Sequence, residues 1–185
     1  MQTSQYMAKI IQELSRSVDL IADEEAEQLV NGILEAKKVF VAGAGRSGLM
    51  GKSFAMRMMH MGIDAYVLGE TVTPTFEKDD LLILGTGSGE TKSLISIAEK
   101  ATNIGGTIAT VTISPESTIG KLADFSIKLP GSPKDQSEGD YQTIQPMGSL
   151  FEQTLLLFFD SVILRIMDKK GLDTNKMYGR HANLE

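Results

Sequence analysis

Gly85-Thr86-Gly87-Ser88-Gly89-Glu90-Thr91 follows the apolar run Leu81-Leu82-Ile83-Leu84 and leads into Lys92-Ser93-Leu94, where helical spacing begins. A buried strand that ends in such a loop and feeds a helix N-terminus makes an anion site. Its glycines let backbone N–H groups approach the ligand, and the helix dipole favours negative charge there. Thr86, Ser88 and Thr91 add three hydroxyls, each able to donate to a phosphate oxygen. Neither Lys nor Arg lies inside the loop, which points to a lone phosphoryl group rather than a triphosphate with Mg²⁺. A loop serving only as a turn and helix cap needs one hydroxyl, and this one has three.

A second loop competes for the same attention. Gly43-Ala44-Gly45-Arg46-Ser47-Gly48 fits G-x-G-x-x-G between the strand Val39-Phe40-Val41-Ala42 and a Met-rich helix carrying Phe54, Ala55, Met58 and Met59. A dinucleotide site would also require an acidic residue ending the second strand, about 20 residues on, to hold the ribose. Glu70, after Leu68-Gly69, is a candidate at a long spacing. Parallel strands open their C-terminal loops on one sheet edge, so both glycine–hydroxyl loops can converge on one small ligand. In that arrangement Arg46 and Ser47 grip the substrate from one side, and Thr86, Gly87, Ser88, Gly89, Glu90 and Thr91 hold its phosphate from the other. A dinucleotide-binding oxidoreductase remains an alternative reading of the first loop.

The elements that must position these loops follow from periodicity. Ile10, Ile11, Leu14, Val18 and Ile21 recur at helical spacing. Asp23 is an expected N-cap for a second helix with Ala26, Leu29, Val30 and Ile33 on its apolar face. Strands are expected at 39–42, 65–68, 81–84, 107–113 and 125–129, with helices between them, the one after the third strand ending at Gly105-Gly106. Alternating strands and helices imply an α/β fold with a parallel sheet covered on both faces. Residues 130–148 form a long polar loop, of the kind that is usually functional in a compact domain. A helix over 149–169 follows, and its run Leu155-Leu156-Leu157-Phe158-Phe159 is apolar nearly all round, as expected of a buried or intersubunit helix. The polar tail from Met177 to Glu185 is expected to fray or to dock on a neighbour.

Composition narrows the class. A chain of 185 residues suits one domain, 1–185, in which N-terminal helices over 5–36 and the C-terminal helix pack on the sheet and in an oligomer interface. The net charge of −6 and the lack of a basic block disfavour nucleic-acid binding. With no cysteine and only His60 and His181, thiolate chemistry is excluded and a multi-histidine metal site within one chain nearly so. No signal-like N-terminus and no bilayer-length apolar run is present, so a cytoplasmic protein without membrane contact is expected.

Taken together, these residues resemble the sugar isomerase (SIS) domain family, whose signature is a Ser/Thr-rich phosphate loop after a parallel strand. Within it the similarity is greatest to members that interconvert D-arabino-hex-3-ulose 6-phosphate and fructose 6-phosphate. It is carried by Gly43 to Gly48, Gly87 to Thr91, Pro130-Gly131-Ser132-Pro133-Lys134-Asp135, Gln145 to Gln153 and the terminal His181-Ala182-Asn183-Leu184-Glu185. The resemblance implies a flavodoxin-like three-layer αβα sandwich with a five-stranded parallel sheet, assembled as a homotetramer and using no cofactor and no metal. It also implies a place in the ribulose monophosphate route of formaldehyde fixation and detoxification, downstream of 3-hexulose-6-phosphate synthase. A non-catalytic sugar-phosphate-binding SIS module is the other reading, although such regulators usually carry a DNA-binding segment and this chain has no basic helix-turn-helix stretch.

Moving a carbonyl between C3 and C2 needs a base that takes the C2 proton, giving a cis-enediol(ate), and returns it to C3. The resemblance implies that this base is Glu152. The residues alone favour a capping box, in which Glu152 reaches back to the Ser149 N–H. His181 is a candidate to shuttle protons between the enediolate oxygens or to open the ring, entering from a neighbouring subunit. His60, at the end of the Met-rich helix, reads more simply as a packed histidine, while Lys134, Glu70 and Glu90 are further charged residues near the same edge.

Overall fold

In the computed structural model, which describes residues 1–132 and 142–184, the chain runs α1 (Thr3–Val18), α2 (Asp23–Glu35), β1 (Val39–Gly43), α3 (Gly45–His60), β2 (Ala65–Val67) and β3 (Leu81–Gly85). It continues as α4 (Lys92–Ile104), β4 (Thr107–Thr112), α5 (Thr118–Leu122), β5 (Phe125–Lys128), α6 (Ser149–Lys170) and α7 (Thr174–Tyr178). All five strands are parallel, in the order β2-β1-β3-β4-β5. The order reverses between β1 and β3, and in open α/β sheets ligands bind outside the strand C-termini at such a switch point. Gly43 and Gly85, the last residues of β1 and β3, pair directly there.

The two-residue period of a strand sorts the core into two layers. Val39, Val41, Leu81, Ile83, Ala109, Val111 and Ile127 face α2, α3 and α6. Phe40, Ala42, Leu82, Leu84 and Ile108 face α4 and α5. The sandwich has the three layers expected. On the first face, α3 and α6 lock through Phe54 and Phe159, stacked with centroids 4.2 Å apart. Each such fully buried apolar side chain stabilises the fold by roughly 1.5–3 kcal/mol. Gly105 ends α4 in the left-handed conformation (φ 87°), as expected.

Three local expectations shift. Ala22, not Asp23, is the N-cap of α2, and Asp23 opens the first turn with Glu24 and Glu25, where acidic side chains favour the dipole. The apolar stripe of α1 does not simply turn inward: Ile11 and Val18 are exposed, whereas Glu13 and Ser17 are buried. Helix α6 is buried along one side by Leu155, Phe158 and Phe159 but exposes Leu157 and Leu164 on the other. Among the described residues no helix is long and apolar enough to cross a membrane.

Candidate active site

At the end of β1 the chain must turn at once into α3. Gly45 makes that turn with φ 58°, a left-handed conformation that costs a side-chain-bearing residue about 1–2 kcal/mol. The first turn of α3 then lies against the strand end. A Cβ on Gly43 would stand 2.9 Å from Gly48 Cα, and one on Gly48 would stand 2.6 Å from the Gly43 carbonyl oxygen. These glycines therefore place Arg46 and Ser47 beside the sheet edge.

The second loop is held from β4. The Thr86 N–H donates to the Val111 carbonyl (3.0 Å), while Ile113 N–H and Thr112 Oγ1 both donate to the Gly87 carbonyl (3.2 Å each). Thr86 Oγ1 accepts from Gly89 N–H and Ser88 Oγ accepts from Glu90 N–H, each at 3.2 Å. Both hydroxyls thus spend an acceptor position on the loop and keep their own O–H for a ligand. Among the described residues the N–H groups of Gly87, Ser88 and Thr91 carry no hydrogen bond, and the first N–H groups of α4 are the unpaired donors every helix start leaves.

The third wall is the start of α6. Gly148 caps it and accepts from the Glu152 N–H at 3.0 Å. The expected capping box is absent: Ser149 N–H donates to the Pro146 carbonyl (3.2 Å), and the Glu152 carboxylate turns the other way to take the Arg46 Nε at 2.8 Å. The cation wins because it satisfies a buried carboxylate more strongly than a neutral amide does. The Glu152 side chain is 10% exposed and that of Arg46 57%, so the guanidinium is free to swing and the carboxylate is not.

Between these walls lies a cavity of about 350 Å³, lined by Ala44, Gly45 and Ser47, by Gly85 to Ser88 and Thr91, and by Ile113, Ser132, Gly148, Phe151 and Glu152. That is the small end of the range for ligand pockets, suited to one metabolite rather than a dinucleotide. The starts of α3, α4 and α6 all reach it, so three helix dipoles favour an anion there. A larger groove of about 1130 Å³ runs between α1, α2 and α6 past Leu14, Leu157 and Val162, away from both glycine loops and from Glu152. Among the described residues no cluster of His, Cys, Asp and Glu could hold a metal ion.

Seven of the expected site residues come together here: Arg46, Ser47, Thr86, Gly87, Ser88, Thr91 and Glu152. Gly89 shapes the loop instead of lining the cavity, since its N–H is taken by Thr86 and Ser117 Oγ fills the place where its Cβ would stand. Glu90 is a correction. Its carboxylate accepts from the Thr118 N–H (2.7 Å) and Oγ1 (2.8 Å), which hold it below its ordinary value and turn it onto the start of α5. Glu70 pairs with Lys52 on the surface.

His181 is not brought to Glu152 within the chain. The tail docks at the opposite end of α3, where Arg180 covers Gly62 and the His181 ring stacks on His60 with centroids 5.3 Å apart. Fifteen residue steps separate Gly45 from His60 on α3, about 22 Å at 1.5 Å per residue. His60 is buried there beside Arg57, and burial, with the charges of Arg57 and His181, pushes it below its ordinary value. Lys134 lies outside the described residues. Ser132, Ile113 and Phe151 line the cavity although the sequence assigns none of them to it; Ser132 and Phe151 lie inside the stretches 130–135 and 145–153 that carry the family resemblance, and Ile113 does not.

The SIS domain family matches residues 32–157, from α2 through the first half of α6 and including both loops and Glu152. The chain belongs to the SIS domain family. Its SIS relatives include the 3-hexulose-6-phosphate isomerase of Bacillus subtilis, 60% identical over 185 residues and covering all of both chains. The 3-hexulose-6-phosphate isomerase of Methanocaldococcus jannaschii is 43% identical over 158 residues, covering 85% of this chain and 83% of that one. A crystal structure of a hypothetical protein from Methanococcus jannaschii, from which a function of 3-hexulose-6-phosphate isomerase was inferred, superposes with a TM-score of 0.83. It is 37% identical and covers 98% of this chain and 99% of that one.

Proposed function

We propose that this protein is a sugar-phosphate isomerase that interconverts D-arabino-hex-3-ulose 6-phosphate and fructose 6-phosphate. The observation that carries the reading is the buried Glu152 facing, across one small cavity, a loop of free N–H groups and hydroxyls built for a phosphate. The full-length relatives of that name support it. With the 6-phosphate held at Thr86 to Thr91 and the start of α4, the sugar chain extends toward α6. Glu152 takes the C2 proton, a cis-enediolate forms across C2 and C3, and the same carboxylate returns the proton to C3. Arg46, already 2.8 Å from Glu152, supplies positive charge to the enediolate oxygens. Ser47 binds a sugar hydroxyl from the α3 side. No metal or cofactor is assigned a step.

His181 acts, in this reading, in a neighbouring subunit, because its own pocket lies at the other end of α3. Assembly as a homotetramer is supported by Tyr6, Met7, Ile11 and Val18 on α1 and by Leu157 and Leu164 on α6, apolar side chains that lie exposed on a single chain. The protein works in the cytoplasm, in the ribulose monophosphate route, on the product of 3-hexulose-6-phosphate synthase. Ribulose 5-phosphate and formaldehyde, mixed with that synthase and this protein, should yield fructose 6-phosphate only when this protein is present. No product, from folded protein that still binds phosphosugars, would refute the isomerase and leave a sensor module of the same fold.

A further inference from the structure

Glu13 is a buried carboxylate on the side of α1 that the sequence marks as polar. Its oxygens gather the segment that leads into α6. Oε2 accepts from Thr143 Oγ1 at 2.6 Å and from Gln145 Nε2 at 2.9 Å, and Oε1 accepts from the Ile144 N–H at 2.8 Å. Thr143 Oγ1 in turn accepts from the Gln145 N–H at 3.0 Å. Gln145, 4% exposed, therefore has both its side chain and its backbone fixed by this cluster. Three residues later the chain reaches the cap of α6. The Pro146 carbonyl accepts from Ser149 N–H, Met147 sits in the left-handed region (φ 58°) that side chains rarely adopt, and the Gly148 carbonyl accepts from the Glu152 N–H.

A buried carboxylate is a costly way to fill space, since an apolar side chain of the same volume would carry no desolvation penalty. Burial pushes the Glu13 carboxyl up, but the bonds from Thr143, Ile144 and Gln145, with Arg16 nearby, outweigh it and hold the group ionised below its ordinary value. An ionised carboxylate with three directed donors among the described residues fixes geometry as no apolar contact can. What it fixes is the one turn through which α6 presents Glu152 to the cavity.

We infer that Glu13 is a positioning residue for the isomerisation: its clamp on residues 143–145 sets the turn at 146–148, and through that turn the place of the Glu152 carboxylate. The inference rests on the reading of Glu152 as the base. The phosphate loop hangs from β3 and β4 and shares none of these bonds, so loss of the clamp disturbs proton transfer and spares substrate binding.

The test uses the full-length protein. Glu13→Gln keeps the volume and an acceptor for the Ile144 N–H but sets one amide NH2 against another at Gln145. A displacement of about 1 Å at a reacting group costs up to about a hundredfold, so kcat should fall about ten- to a hundredfold while KM for the hexulose phosphate stays within about threefold. The exchanged pair Glu13→Gln with Gln145→Glu restores one donor facing one acceptor and should recover most of kcat. Wild-type kcat in Glu13→Gln, a rise in KM as large as the fall in kcat, or no recovery in the exchanged pair would each overturn the inference. Should Glu13→Gln fail to fold, Thr143→Val removes two bonds of the cluster without stranding a charge, and must still lower kcat at constant KM; an unchanged kcat overturns the inference. Glu152→Gln assayed alongside separates the two claims. An active Glu152→Gln refutes the base, whereas an inactive Glu152→Gln beside a fully active Glu13→Gln refutes the clamp alone.

Discussion

Replacing Gly48 by alanine probes how closely α3 must approach β1. In most helix interiors that change stabilises by about 0.5–1 kcal/mol, because glycine loses more backbone entropy. Here the new Cβ would stand 2.6 Å from the Gly43 carbonyl oxygen and 3.0 Å from its carbon, and both are backbone atoms in the central part of the sheet. Ordinary contact begins near 3.4 Å, so the first turn of α3 has to withdraw by the better part of an ångström. Overpacking of this kind costs about 1–3 kcal/mol, which outweighs the entropic gain. The same withdrawal carries Arg46 and Ser47 away from Glu152, and a misplacement of about 1 Å costs up to about a hundredfold in rate. Urea unfolding should lose about 1–2 kcal/mol and kcat/KM should fall at least about tenfold. Gly45→Ala is the comparison: nothing lies within 4 Å of its Cβ, so its cost is the left-handed strain alone, about 1–2 kcal/mol. A Gly48→Ala protein as stable and active as wild type would refute the close-approach argument.

Two further outcomes follow from the same structure. Thr86→Val removes an acceptor from the Gly89 N–H and a donor from the phosphate site. KM for the phosphosugar should rise about ten- to a hundredfold, for about 1–3 kcal/mol, with a matching loss of affinity for inorganic phosphate in a calorimetric titration. His60 is held below its ordinary value in the fold, so between that lowered value and about 6.5 the unfolded chain binds the extra proton and stability falls as the pH drops. The thermal midpoint should decline from pH 7 toward pH 5, and His60→Asn should flatten that slope. Glu13 acts with the same sign in a more acidic window. Its carboxyl is lowered from 4.5, so its contribution is complete above that pH and is lost only as acid protonates the folded group, in a separate window.

Much of the fold was legible because its signals are local. The five strands and the alternation of helices follow from apolar runs and glycine stops, and the phosphate loop declares itself by packing three glycines and three hydroxyls into seven residues. Carboxylate direction was not legible. Glu90 lies in the phosphate loop and points away from the cavity, because the start of α5, 28 residues on, offers it two better donors. Glu152 stands in a capping-box frame and abandons it for Arg46, a partner from a different strand-helix turn. Ser132 lines the cavity just beyond β5, and nothing in its local sequence marks it as a cavity residue. Glu13 is the plainest case, a glutamate on a polar helix face that is buried and bonded to residues 143–145, which lie 130 or more positions away. Periodicity reports the face a helix buries, but not which polar group crosses the chain to meet a distant amide.

The central claim is that Glu152 moves the proton, and steady-state kinetics of Glu152→Gln test it most directly. The amide fits the same space and can still accept one hydrogen bond from Arg46, but it cannot take a proton from C2. A positioned general base contributes about 10²- to 10⁴-fold, so kcat should fall by at least about a hundredfold while phosphosugar affinity and the unfolding midpoint stay near wild type. A wild-type rate in that variant would contradict the account and move the base to another residue.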